Sequence, residues 1–307
     1  MKKIILFLLF ATCMAVTFSA CGNNDEEGGS KSNNTNANVL VGTSTVGNIT
    51  MPAEIMRLEF PKVKGGNSMI IVHKAILNSK TNEYGVNYSV EWDTSKKSQR
   101  WSCYQMYSSI SVSNTKRYTS DTNQYPQDPS LPSQYQFTAD PFWGSGYDHG
   151  HICPSADRLG SADANYQTFL LTNMQPQVNG FNAYVWANME NQLRIWNRDS
   201  FRDTLYVCKG GTIDNSDQIA TTLHSGLIVP KYYFMAILCK NKEGYKALGF
   251  WIEHKANSDT ELGKYVVSIK QLESLTGIDF FCNLPDNIER MVESLPVENV
   301  KRAWGLQ

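Results

Sequence analysis

Tyr147-Asp148-His149-Gly150-His151-Ile152-Cys153-Pro154, then Thr172-Asn173-Met174-Gln175-Pro176-Gln177, then Asn182, Trp186, Glu190 and Arg194: these residues decide the fold. Two imidazoles flank one glycine, and histidine, with an unperturbed pKa of about 6.5, is the side chain best matched to moving protons at neutral pH. Gly150 is expected to let the backbone turn tightly between them. The carboxamides Asn173, Gln175, Gln177, Asn179 and Asn182 are expensive to bury unless they hold one another, a metal or a ligand. Their density beside apolar Phe169-Leu170-Leu171 predicts a site. Val185, Met189, Leu193 and Trp196 recur at helical spacing, which predicts a helix from Phe181 to Trp196. On it Asn182, Trp186, Glu190 and Arg194 fall at i, i+4, i+8 and i+12, along one edge beside the apolar stripe. A carboxamide, a carboxylate and a guanidinium are therefore expected to face one cleft.

In this order the residues resemble the DNA/RNA non-specific endonucleases of the ββα-metal (His-Me finger) class. That family's signature is Asp-Arg-Gly-His, followed by an Asn-rich segment and a metal-bearing helix. Asp148-His149-Gly150-His151 stands at the signature, with Asn173-Met174-Gln175-Pro176-Gln177 and then Asn182, Trp186, Ala187 and Glu190 downstream. The likeness continues through Ile228-Val229-Pro230-Lys231-Tyr232-Tyr233 and Leu275-Thr276-Gly277-Ile278-Asp279-Phe280-Phe281, so it covers the chain from Met56 to its end. One departure stands out: the family's arginine is His149 here.

The resemblance implies an α+β fold in the ββα-metal arrangement, with a central, mainly antiparallel sheet flanked by helices. It implies a hydrolase that cuts DNA and/or RNA with little sequence specificity. His151 would be the general base that deprotonates water, and Asn182 the side-chain ligand of a Mg²⁺ that keeps most of its waters, with Mn²⁺ or another divalent ion as alternatives. Glu190 would bind the metal or hold a metal-bound water. Arg194 would neutralise phosphate charge, as would Arg117, the nearest match to the family's upstream arginine. Asn173 and Gln177 are assigned to substrate, and Asp148 to fixing the loop. His149 in place of arginine supplies charge only when protonated, so a bell-shaped pH profile is expected, with His151 setting its acid limb. Plainer readings stand beside these: Asn182 as a helix N-cap, and Glu190 with Arg194 as an ordinary i, i+4 ion pair.

The rest of the sequence bounds the setting. Of 307 residues 41% are hydrophobic and 19% charged, with formal charge −1, so no global basic field draws in a polyanion and any such contact is local. Lys96, Lys97, Arg100, Lys116 and Arg117 form a basic cluster that is either a solvated face or a phosphate-contacting patch. Residues 1–20 read as an export signal: Lys2 and Lys3, an apolar run, then small residues. Phe18-Ser19-Ala20-Cys21-Gly22 resembles a bacterial lipobox, which makes Cys21 the lipid anchor. Residues 21–55 form a flexible Asn/Gly/Ser-rich tether, and residues 56–307 the endonuclease domain. The protein is thus expected to be a cell-envelope lipoprotein, periplasmic or at the cell surface, with plain secretion as the alternative.

Cys103, Cys153, Cys208, Cys239 and Cys282 allow one or two disulfides and leave at least one thiol free. Cys153 is read as a small buried side chain, not a nucleophile. Strands are predicted at Met69 to Leu77, Val86 to Trp92, Trp101 to Met106, Thr204 to Cys208, Tyr232 to Cys239 and Ala247 to Ile252, and a helix from Ser268 to Thr276 closed by Gly277. The proline-rich loop from Tyr125 to Asp140 is expected to lie over the site. A second function class, a lipoprotein that binds nucleic acid or another polyanion with weak or no hydrolysis, draws on His149 and the near-neutral charge.

Overall fold

The computed structural model describes residues 34–40 and 51–307. The export signal, Cys21 and most of the tether lie outside the described residues. The strands are β1 (Ser68–Asn78), β2 (Glu83–Asp93), β3 (Ser98–Met106), β4 (Asp148–His151), β5 (Met174–Gln177), β6 (Thr204–Gly211), β7 (Ile219–Thr222), β8 (Ile228–Pro230), β9 (Tyr232–Asn241), β10 (Gly244–Glu253) and β11 (Val266–Val267). The α-helices are α1 (Ala162–Gln167), α2 (Ala187–Trp196), α3 (Ile269–Thr276), α4 (Asp286–Glu293) and α5 (Val297–Trp304). Each predicted strand is present, usually a residue or more longer at its ends.

A seven-stranded sheet, ordered β1-β2-β3-β6-β9-β10-β11 and antiparallel at each pairing, forms the centre. Side-chain alternation sorts its residues into two cores. In β1, Met69 and Ile71 face one side while Ile70 and Val72 face the other; in β9, Met235, Ile237 and Cys239 oppose Phe234, Ala236 and Leu238. Both faces are covered, which is why β9 reads as a nearly unbroken apolar run. One face packs against Met189, Leu193 and Trp196 of α2 and Val300 and Trp304 of α5. The other packs against Ile269 and Leu272 of α3, Val292 of α4, and Phe280 and Phe281. α3 is bounded as its sequence predicts: Ser268 Oγ accepts from the Gln271 N–H, and Gly277 closes it in the left-handed region at φ 69°.

β4 and β5 form a separate antiparallel pair with Asp148 opposite Gln177 and His151 opposite Met174, and the chain then enters the helix that lies on the first face. This is the ββα unit. Gln175 ties it to the central sheet: its Nε2 donates to Gln99 O at 3.0 Å, and its Oε1 accepts from Gly211 N at 2.6 Å. The crowd of carboxamides is therefore in part a fastening between two sheets.

Four expectations are corrected. Gly150 makes no turn; it lies within β4, and its missing Cβ admits Gln177, whose Cδ would sit 2.4 Å from a Cβ there. The predicted helix opens as a π-helical segment, Phe181–Trp186, before α2 begins. Val185 N donates outward to Asn257 O at 3.1 Å, and Asn257 N donates to Gly180 O at 2.9 Å, so a neighbouring loop is inserted into the ladder and widens the turn. The tether is not free throughout. Asn34 donates to Cys282 O and Leu284 O, and Asn36 bonds Asp279 and Glu289, so residues 34–40 dock on the C-terminal helices. Finally, the five domain cysteines are all free and buried, with no disulfide among them.

Candidate active site

One cleft of about 530 Å³ is lined by Arg117, Tyr125, Tyr147, Asp148, His149, His151, Asn182, Ala183, Ala187 and Glu190, among others. β4 supplies the two histidines and Asp148, the π segment supplies Asn182, and the first turn of α2 supplies Glu190. His151 and Asn182, which share no sequence neighbourhood, thus face one small space.

His151 sits against Phe169, edge-to-face at 4.8 Å, and its Nε2 is sealed from bulk solvent without a protein partner. Burial first, and the Arg117 charge second, push its pKa down to about 3. The imidazole is therefore neutral at physiological pH, with a ring nitrogen uncommitted inside a polar cleft.

Asn182 is aimed by Asp148. Its Nδ2 donates to Asp148 Oδ2 at 3.0 Å, as does Asn179 Nδ2 at the same distance. An amide whose nitrogen is committed presents its oxygen on the other side, and among the described residues Asn182 Oδ1 has no partner. That oxygen can face a hard cation.

Glu190 is held from below by Lys209 of β6, fully buried at 0% exposure, whose Nζ lies 2.8 Å from Glu190 Oε1. The ammonium also lies 5.1 Å from the Trp186 ring centre. Burial raises the Glu190 carboxyl above its ordinary range while Lys209 opposes that shift. One carboxylate oxygen is spoken for, and the other remains for a ligand.

Arg117 stacks over Phe169 at 4.7 Å and presents its guanidinium to the cleft with no carboxylate partner among the described residues. Lys96, Lys97 and Arg100 of its cluster are engaged elsewhere. Lys96 and Arg100 are ion-paired to Asp214, Arg100 also to Asp93, and Lys97 donates to Gln136 O.

Several assignments change. Arg194 leaves the cleft: its Nη1 pairs with Asp157 Oδ1 at 2.8 Å. The i, i+4 pair with Glu190 is absent, because Glu190 is held by Lys209. Trp186 is also turned away, into the core at 1% exposure. The widened π turn explains Trp186, because four residues on from Asn182 no longer lead back to the same edge; Arg194 keeps its α-helical spacing from Glu190 and is drawn off by Asp157. Asn173 and Gln177, both 0% exposed, cannot touch substrate. Asn173 instead clamps the backbone just past His151, accepting from Cys153 N and donating to Cys153 O, each at 2.9 Å. Gln177 packs on Gly150.

His149 is stacked between Tyr125, ring centres 3.6 Å apart, and Phe142, 4.3 Å apart, with Nε2 2.9 Å from Asp140 Oδ2. Burial works against ionisation of Asp140, but the His149 hydrogen bond and the Phe142 N–H hold its carboxyl below the usual range. Nε2 is thus engaged by Asp140, and His149 fastens the overlying loop to β4. The Cys153 thiol is pushed up to about 12 by burial, which leaves it inert as a nucleophile at neutral pH.

Lys209, Asp157 and Asp140 were not singled out from the sequence. A lysine closing the apolar run Leu205-Tyr206-Val207-Cys208 was a usable signal, because a charge in a buried strand requires a partner. Asp140 and Asp157 carried none.

Comparison with known proteins gives four findings. Residues 66–287 match the DNA/RNA non-specific endonuclease family. A protein named "Nuclease" from Nostoc sp. is 33% identical over 217 residues, covering 67% of this chain and 75% of that one. Human mitochondrial endonuclease G is 27% identical over 168 residues, covering 52% of this chain and 56% of the human protein. A chain of the crystal structure of the EndoG/EndoGI complex superposes with a TM-score of 0.59 at 20% identity, covering 77% of this chain and 94% of that one, and shows the same fold.

Proposed function

This chain belongs to the DNA/RNA non-specific endonuclease family, and we propose that it hydrolyses phosphodiester bonds of DNA and/or RNA with a divalent cation, Mg²⁺ in the first instance. The observation that carries the reading is the convergence on one cleft of neutral His151 with Asn182 Oδ1 and Arg117, both without partners among the described residues. The donor set fits a hard cation: a carboxamide oxygen already aimed by Asp148 and a carboxylate oxygen of Glu190, with water completing the set. When bound, the ion neutralises phosphate charge and eases departure of the leaving oxygen.

The chain's own residues do the rest. His151 takes the proton of the attacking water at its free ring nitrogen. Arg117 pairs with a non-bridging phosphate oxygen and orients the diester. Asp148 and Lys209 hold Asn182 and Glu190 in place, so little reorganisation is needed on substrate arrival. Incubating purified protein with plasmid and with RNA tests the reading. Cleavage of either with Mg²⁺, and none with chelator, is expected; retention of both polymers without cleavage would favour a polyanion-binding lipoprotein.

The pH dependence follows from His151. A depressed pKa means that the base form persists well below neutrality and is lost only as pH falls toward about 3. The kcat/KM profile, which reports the free enzyme, should therefore show no acid limb at the ordinary histidine position. In the complex a bound phosphate stabilises the imidazolium, so the acid limb of kcat should lie at higher pH than that of kcat/KM. A kcat/KM limb at about 6.5 would mean that His151 titrates as an exposed imidazole.

For location, we take residues 1–20 as an export signal and Cys21 as a lipid anchor, on the strength of their sequence alone. Cys21→Ser should release the protein from the membrane fraction. If it fractionates unchanged, the anchor assignment is wrong.

A further inference from the structure

We propose that Trp143 is a stacking platform for an unpaired nucleobase on the strand whose phosphate occupies the cleft, so that single-stranded nucleic acid is the preferred substrate form. This rests on the nuclease reading above. Of the seven tryptophans, Trp92, Trp101, Trp186, Trp196 and Trp304 are buried and Trp251 is partly covered, whereas Trp143 is 90% exposed. A single exposed apolar side chain is ordinary on a protein surface. What distinguishes this one is how its backbone is held.

Trp143 follows Phe142, whose buried ring stacks on His149, and lies three residues after Asp140, whose carboxylate holds His149 Nε2. The loop is cross-braced: Trp143 N donates to Asp140 O at 3.4 Å and Ser145 N to Phe142 O at 3.0 Å. Gly144 and Gly146, at φ 68° and 81°, take the left-handed backbone that lets the chain return at once to Tyr147, which lines the cleft. Both ends of this short loop are therefore fastened to the wall of the site. Phe142 is turned inward and Trp143 outward, which leaves the indole in water on a braced loop beside the residues that line the cleft.

A strand whose phosphate pairs with Arg117 and meets His151 carries its neighbouring nucleotides along the cleft walls, one of which this loop adjoins. An unpaired base offers a free π-face to the indole, and such stacking is sequence-tolerant because every base has one. Bases of a duplex are already stacked on each other, so the same contact gains little from them. The platform thus favours strand form without reading sequence.

The test compares wild type, Trp143→Ala and Trp143→Phe in full-length protein on a short single-stranded oligonucleotide and on the same sequence as a duplex. Trp143→Ala should raise KM for the single strand by about 5- to 100-fold, with a smaller rise for the duplex and little change in kcat. Trp143→Phe should recover most of the loss. In chelator, where no cleavage occurs, saturating single strand should shield wild-type fluorescence from acrylamide, and that quenchable fraction should be missing from Trp143→Ala. An unchanged KM, equal losses on both strand forms, or a loss confined to kcat with a lowered melting temperature would each overturn the platform. So would shielding by phospholipid vesicles but not by oligonucleotide, which would make Trp143 a membrane contact. A wild type that cleaves neither polymer overturns the nuclease reading instead, a separate result.

Discussion

His151→Ala should lower kcat by about 10²- to 10⁴-fold, the usual contribution of a positioned general base, while substrate binding in the absence of turnover stays near wild type. The expectation is sharp because the imidazole has few other duties. Its Nε2 has no protein partner, and its principal contact is the edge of Phe169. Removing it forfeits a hydrogen bond to the His149 backbone but no side-chain partner, so the variant should keep its fold and the loss should be one of chemistry. The hairpin around it is held by other groups: the Asn173 clamp on Cys153 and the Gln175 bonds to Gln99 and Gly211 survive the substitution. Single-turnover cleavage at saturating enzyme reads this directly. Wild-type turnover in His151→Ala would remove it from the mechanism and leave its buried, unpaired nitrogen without an account.

The second large effect concerns the metal. Asn182→Ala deletes the carboxamide oxygen, and the Mg²⁺ concentration for half-maximal activity should rise by more than about 100-fold, beyond the 10- to 100-fold typical of losing an outer partner. Asp148→Ala should fall within that lower range, because Asn182 keeps its oxygen but loses the hydrogen bond that aims it. The ordering is the informative part. Equal effects would mean that Asp148 reaches the ion itself, and a larger effect for Asp148 would reverse the two roles. Metal titrations of initial rate on all three proteins decide among these.

How much of this was legible in the sequence differs by residue. The strands of the central sheet were readable because burial on both faces forces long apolar runs such as Tyr232 to Cys239. The ββα arrangement came from the ordered motif, and the placement of His151, Asn182, Glu190 and Arg117 on one cleft agrees with it. Arg194 was misplaced because its partner Asp157 lies far away in sequence, and Trp186 because strict helical spacing was projected through Phe181–Trp186, where a loop carbonyl from Asn257 pulls Val185 out of register. Nothing local announces such an insertion; it is a tertiary contact. Asn173, Gln175 and Gln177 drew the eye as a polar cluster, and polarity alone does not separate a group that waits for substrate from one that fastens two sheets. Lys209 lies nineteen residues beyond Glu190, and its role exists only once β6 passes beneath α2.

The claim on which the rest depends is that His151, Asn182 and one cation serve the same phosphate. The most direct measurement is the anomalous scattering of Mn²⁺ in crystals of His151→Ala with a short single-stranded oligonucleotide, a complex in which cleavage is suppressed. A manganese peak at about 2.1 Å from Asn182 Oδ1, the usual range for a hard octahedral ion, with a phosphate oxygen also bound to it, is the result expected. A cleft without manganese would contradict the assignment, above all if the ion were found instead among Glu273, Asp279 and Glu293, whose carboxylates lie within 4.8 Å of one another on the far side of the sheet.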